Sequence, residues 1–109
     1  MARPRTYSSL TVQAARMLGD RVQLARRERR WTIEELAHRV GVTHTTIRKV
    51  ERGDLGVALG TAFEAAVILG VPLFHPEVDR RTLDAEVVRE RLALLPRVVK
   101  APVTIDDDF

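Results

Sequence analysis

The sequence predicts an all-α protein of four helices that include a helix-turn-helix, followed by a C-terminal helix and a disordered tail. Three observations carry this. Apolar residues recur three and four positions apart through most of the chain. Gly41-Val42-Thr43 and Gly70-Val71-Pro72 supply the breaks at which helices end. Thr32 with Glu35, and Thr43, stand where helix-capping side chains are needed.

Residues 1–10 read as a flexible basic arm carrying Arg3 and Arg5. A first helix should run from about Thr11 to Arg29. Val12, Ala15, Leu18, Val22 and Ala25 mark its inner face, and Leu24 widens it. Gly19 costs such a helix about 1 kcal/mol relative to alanine, which points to a close packing contact there. Arg26, Arg27, Arg29 and Arg30 crowd its last turn, where cations complement the helix dipole. Trp31 then follows as an apolar anchor between helices.

The next stretch, TIEELAHRVGVTHTTIRKVERG from Thr32 to Gly53, organises the chain. Ile33, Leu36, Ala37 and Val40 form the apolar face of one short helix, and Val42, Ile47 and Val50 that of another. Thr32 caps the first, with Glu35 completing a capping box. A glycine at position 41 can take the left-handed conformation that ends that helix, and Thr43 can cap the next. Gly53 stops the second. Two capped helices joined by a three-residue turn make a helix-turn-helix.

The outward face of the second helix carries His44, Thr45, Arg48, Lys49 and Arg52, all donors or cations. Such a face suits the major groove of DNA, where base edges are read by hydrogen bonds and phosphates by charge. Thr32, Thr43, Thr46 and Arg52 would then meet the DNA backbone. Arg3 and Arg5 of the arm would reach a minor groove or phosphates, unless the arm is merely a disordered terminus.

The segment LAHRVGVTHTTIRKVERG, with its closing Val50-Glu51-Arg52-Gly53, resembles the Xre family of lambda-repressor-like regulators. The resemblance spans about Leu18 to Phe74. It implies that His44, Thr45, Arg48 and Lys49 contact bases. It also implies that Arg26 and Glu51 pair to orient the recognition helix without reading sequence themselves.

A fourth helix is expected from about Leu59 to Leu69, with Phe63, Ala66, Val67 and Leu69 inward. Gly70-Val71-Pro72 ends it, and Leu73 and Phe74 should tuck onto the core. This gives a helix-turn-helix domain over residues 11–75. Over residues 76–95 a further helix begins near Asp79, with Leu83, Val87, Val88, Leu92 and Leu95 as a stripe and Arg81, Asp84, Arg89 and Arg91 opposite. That stripe either folds back on its own domain or meets a second subunit. Residues 96–109, PRVVKAPVTIDDDF, read as a flexible acidic tail. Asp106, Asp107, Asp108 and Phe109 either keep the chain soluble or form a partner-binding motif with Val103 and Ile105.

Composition narrows the classes. The 109 residues contain no cysteine, which removes disulfides and thiolate metal sites. Catalysis is not expected, because His38, His44 and His75 form no metal-ligand spacing and no phosphate-binding glycine loop occurs. No metal or cofactor is expected either. With no membrane-spanning run and no signal peptide, a cytoplasmic protein is expected. The net charge of +3 is unevenly divided. Residues 1–53 hold 12 Lys/Arg against 5 Asp/Glu, for +7, and residues 54–109 hold 6 against 10, for −4. One end favours a polyanion and the other a different partner.

The whole layout also resembles the HipB-type antitoxins that pair with HipA-type kinases. It implies a repressor that binds double-stranded DNA as a homodimer on an inverted repeat, autoregulates its operon and neutralises a toxin kinase. A plain Xre-type regulator without a toxin partner is the alternative. HipB-like proteins often add a β-strand after the helical core, whereas this sequence reads as helix from Asp79.

Overall fold

The computed structural model describes residues 6–101, which form five helices and, among the described residues, no strand. They are α1 (Ser9–Glu28), α2 (Ile33–Val40), α3 (His44–Glu51), α4 (Leu59–Ile68) and α5 (Val78–Ala93). Arg3 and Arg5 of the arm, and Val103, Ile105, Asp106, Asp107, Asp108 and Phe109 of the tail, lie outside the described residues. The described residues divide into two compact units, the first ending at Phe74 and the second beginning at His75.

In the first unit α1 starts two residues before the expected Thr11, because Ser8 is the cap. Its hydroxyl accepts from the Thr11 amide at 3.4 Å and bonds the Thr11 hydroxyl at 2.9 Å. At the start of α2 the Thr32 hydroxyl accepts from the Glu35 amide at 3.1 Å. The capping box is only half made, since the Glu35 carboxylate pairs with Arg39, one helical turn on, at 3.3 Å. Gly41 ends α2 at φ 86°, in the left-handed region that favours glycine. Thr43 caps α3 by accepting from the Thr46 amide at 3.3 Å.

The core is built from one face of each helix: Val22 from α1, Leu36 and Ala37 from α2, Ile47 and Val50 from α3, and Ala65 and Ala66 from α4. Leu69 and Val71, just past α4, complete it. Val22, Leu36 and Ile47 are wholly buried, each contributing about 1.5–3 kcal/mol over an exposed side chain. Trp31, Ile33, Val40 and Val42 pack half-buried around this centre.

Three inward expectations fail, each for a geometric reason, and a fourth, Phe63, is only half met. Leu24 is exposed, because it lies 200° around α1 from Val22, the wholly buried residue at the centre of that face. In α4 the inner face runs along Ala62, Ala65, Ala66 and Leu69, a three-four-three spacing. That row leaves Phe63 on its margin and turns Val67 outward. After α4 the chain bends, with Phe74 at φ 61° in the left-handed region, so Val71 is buried and Leu73 packs on the core while the Phe74 side chain leaves it, 91% exposed.

The second unit consists of α5 and its flanks. The His75 ring accepts from the Glu77 amide at 3.1 Å, and Arg81 donates to the carbonyls of His75 and Pro76 at 2.8 and 2.9 Å. These bonds fix the turn that starts the helix. No residue of α5 is buried. Its apolar residues do not form the single expected stripe. At about 100° per residue, Val88, Leu92 and Leu95 make one row and Leu83 and Val87 another, with Arg81 on the first row, not opposite it. Residues 94–101 have neither helix nor strand.

Candidate nucleic-acid interface

α3 is eight residues long, and its two faces have opposite chemistry. Ile47, Val50 and Glu51 are buried, whereas His44, Thr45, Arg48 and Lys49 are exposed. These four side chains share the outward side because the buried ones recur three and four residues apart. His44, Thr45, Arg48 and Lys49 together offer hydroxyl, imidazole, guanidinium and ammonium groups, a set that can donate to purine and phosphate acceptors.

The expected backbone-contacting residues divide into two kinds. Thr32 and Thr43 each spend an oxygen lone pair on capping, and Thr32 keeps an O–H group that can donate outward. The Thr43 hydroxyl is also joined to that of Thr46 at 3.1 Å, so these two act as one unit at the start of α3. Thr46 is half-buried and less available than its neighbours. Arg52 is exposed and stands 3.9 Å from the Asp54 carboxylate, a loose pair that solvent screens.

Beneath this surface the Arg26 guanidinium meets the Glu51 carboxylate in two bonds, Nε to Oε2 at 2.6 Å and a terminal nitrogen to Oε1 at 3.0 Å. Its other nitrogen donates to the Trp31 carbonyl at 2.8 Å. Both residues are 7% exposed. The hydrogen bond to Glu51 raises the Arg26 pKa above its ordinary value, outweighing desolvation, which acts to lower it. The guanidinium is thus fully charged wherever the fold exists. It ties α1 to the end of α3 and to the entry of α2.

Gly19 makes the same junction possible. A Cβ added there would stand 2.6 Å from the carbonyl oxygens of both Val50 and Glu51. α1 therefore touches the last turn of α3 backbone to backbone, and the close contact inferred from an interior helix glycine is present.

Sequence reasoning missed several supporting residues. A shallow depression beside α3 is lined by Gln23, Ile33, Arg48, Glu51 and Arg52. Gln23 could have been found, since it lies three residues before Arg26 on the same side of α1. From the sequence Arg29 is expected only to complement the dipole of α1. It donates instead to the carbonyls of Ile68 and Leu69, at 3.3 and 3.0 Å, which closes the far end of α4. Trp31 anchors as expected, with the guanidinium carbons of Arg39 and Arg29 at 4.1 and 5.2 Å from its ring centre. No local pattern announces those contacts.

Among the described residues no group of three or more His, Asp or Glu side chains gathers as a metal site. No described helix is long and apolar enough to cross a membrane. Residues 22–75, from the middle of α1 to the junction after α4, match a family model described as Helix-turn-helix. Comparison with curated proteins finds no match.

Proposed function

We propose, from the match of residues 22–75 to a helix-turn-helix family model and the resemblance of this segment to the Xre and lambda-repressor-like regulators, that this protein is a transcriptional repressor acting as a homodimer on an inverted repeat. The domain is that of a DNA-binding regulator of transcription. One observation carries the finer reading. α3 exposes His44, Thr45, Arg48 and Lys49 on a short helix whose opposite side is locked by Gly19, Arg26 and Glu51. A rigidly held helix with outward donors reads base edges at low entropic cost.

A single reading head of this size covers only a few base pairs. Two heads related by a two-fold axis, one helical turn of DNA apart, supply the remaining specificity. Selection from random-sequence duplexes tests this directly. An enriched inverted repeat with half-sites about 10 base pairs apart supports the reading. Enrichment of single half-sites, or of nothing, removes it.

The charge division favours a second reading, in which the same repressor is an antitoxin. Residues 54–109 hold 10 acidic against 6 basic residues, a poor match for DNA and a suitable one for a basic partner protein. The resemblance to HipB-type antitoxins names a kinase as that partner. α5 stands where such proteins often carry a strand, a departure in the dimer region. Co-purification of the full chain, and of a version ending at Thr104, tests it. A kinase retained in fixed ratio supports the antitoxin role, and recovery of the chain alone returns it to a plain regulator.

A further inference from the structure

α5 is a 16-residue helix with no buried residue, although helices in proteins draw most of their stability from packing one face. Val78, Arg81, Ala85, Val88, Leu92 and Leu95 follow one another at alternating spacings of three and four, and all fall within about 100° of arc. This is a heptad seam with one polar member. Leu95 extends it past the helix end, its amide bonded to the Leu92 carbonyl at 3.1 Å. We propose that this seam pairs antiparallel with the same seam of a second copy, and that Asp84 and Arg91 set the direction. The inference deepens the two-fold reading above and rests on it.

Charge decides both the occupant and the direction. Asp84 and Arg91 immediately precede Ala85 and Leu92, so both flank the seam on the same side. In an antiparallel pair Ala85 packs against Val88 of the second copy, Arg81 against Leu92, and Val78 against Leu95. Asp84 of each copy then stands beside Arg91 of the other, giving two opposite-charge pairs. Arg91 has no acidic residue at the helix positions three and four away, where Val87, Val88, Leu94 and Leu95 stand.

A parallel pair would place Arg81 against its own copy inside the seam, two like charges in contact. The antiparallel pair avoids this. The Arg81 guanidinium is turned back onto the carbonyls of His75 and Pro76, which leaves its methylene stem to face Leu92 of the second copy. The small Ala85 at the centre lets the two helices approach closely.

Sedimentation velocity on the full chain tests the pairing, with Asp84→Arg, Arg91→Asp and an equimolar mixture of the two variants. The wild type should be a dimer at micromolar concentration. Each variant alone places two like-charge pairs across the seam and should weaken the dimer by about tenfold or more. The mixture should restore it, because in each hetero-pair one copy presents two arginines at these positions and the other two aspartates, so both cross-seam pairs are again of opposite charge. Asp84 also pairs with Arg80 within the helix at 3.2 Å, and circular dichroism of the variant reads that separate loss. The mixture carries the same loss, so recovery cannot come from it.

Failure of the mixture to recover overturns the proposal, as does wild-type behaviour of both variants. A dimer indifferent to all these changes overturns α5 pairing but leaves the two-fold reading standing. A wild-type chain that stays monomeric even on a selected inverted repeat overturns both.

Discussion

The Arg26 guanidinium in the last turns of α1 grips the carboxylate of Glu51, the final residue of α3, through bonds of 2.6 and 3.0 Å. The pair is buried and joined to the Trp31 carbonyl, so one cation holds α3, α1 and the approach to α2 in register. It sets the angle at which the exposed donors of α3 leave the core.

Removing one partner leaves the other charged and buried. Arg26→Met or Glu51→Leu should each destabilise the domain by about 3–5 kcal/mol in denaturant titration. The double variant should recover much of that, because two apolar groups of similar size carry no desolvation penalty. Equal loss in the single and double variants would show that packing, not charge, dominates the site.

The pair should also be insensitive to pH at its arginine. The folded-state pKa of Arg26 is raised, so its contribution is fully present below the unfolded-state value and is lost only as pH rises through the still higher folded-state value. Both exceed the working range. Stability curves between neutral and moderately alkaline pH should therefore show no step removed by Arg26→Met.

Gly19→Ala should be more damaging than a surface helix substitution. The added methyl meets two backbone oxygens at 2.6 Å, and backbone yields less readily than the end of a flexible side chain. Overpacking should cost about 1–3 kcal/mol despite alanine's better helix propensity. DNA affinity should fall with it, because the atoms displaced belong to the last turn of α3. A raised melting temperature would contradict the close contact.

Arg30→Gly should act in the opposite direction. Arg30 takes φ 59° just after α1, while the Trp31 amide bonds back to the Arg26 carbonyl at 3.1 Å, the arrangement in which glycine is favoured. The side chain is exposed, so its loss removes little packing. Relief of the left-handed strain should stabilise the domain by about 0.5–1 kcal/mol, read as a higher melting temperature. A destabilised variant would mean that the arginine makes a compensating contact.

The elements of the fold were legible in the sequence because their signals are local. Thr32 and Thr43 cap the helices they precede, Gly41 ends α2, and the spacing of Leu36, Ala37, Ile47 and Val50 identifies their buried faces. The outward set His44, Thr45, Arg48 and Lys49 follows from the same period, and all four are exposed on α3. What was not legible depends on where a face is centred. Phe63 and Val67 are larger than Ala65, yet Ala65 is buried because α4 turns its alanine row inward. Arg29 reaches carbonyls some 40 residues away, and Arg39 lies over Trp31 on a different element. Such contacts require the tertiary fold. The two rows on α5 needed only angular bookkeeping, since Arg81 and Val88 lie seven residues apart on one side of any helix.

Base reading by α3 is the role proposed for its exposed donors. Its most direct test compares Lys49→Ala and Thr45→Ala with the wild type on a selected operator and on random duplex of the same length, at fixed salt. Both side chains are exposed, so stability should change by less than about 0.5 kcal/mol. Affinity for the operator should fall by about 1–3 kcal/mol, and affinity for random DNA by clearly less. Equal losses on both duplexes would contradict the claim and reduce these residues to phosphate contacts.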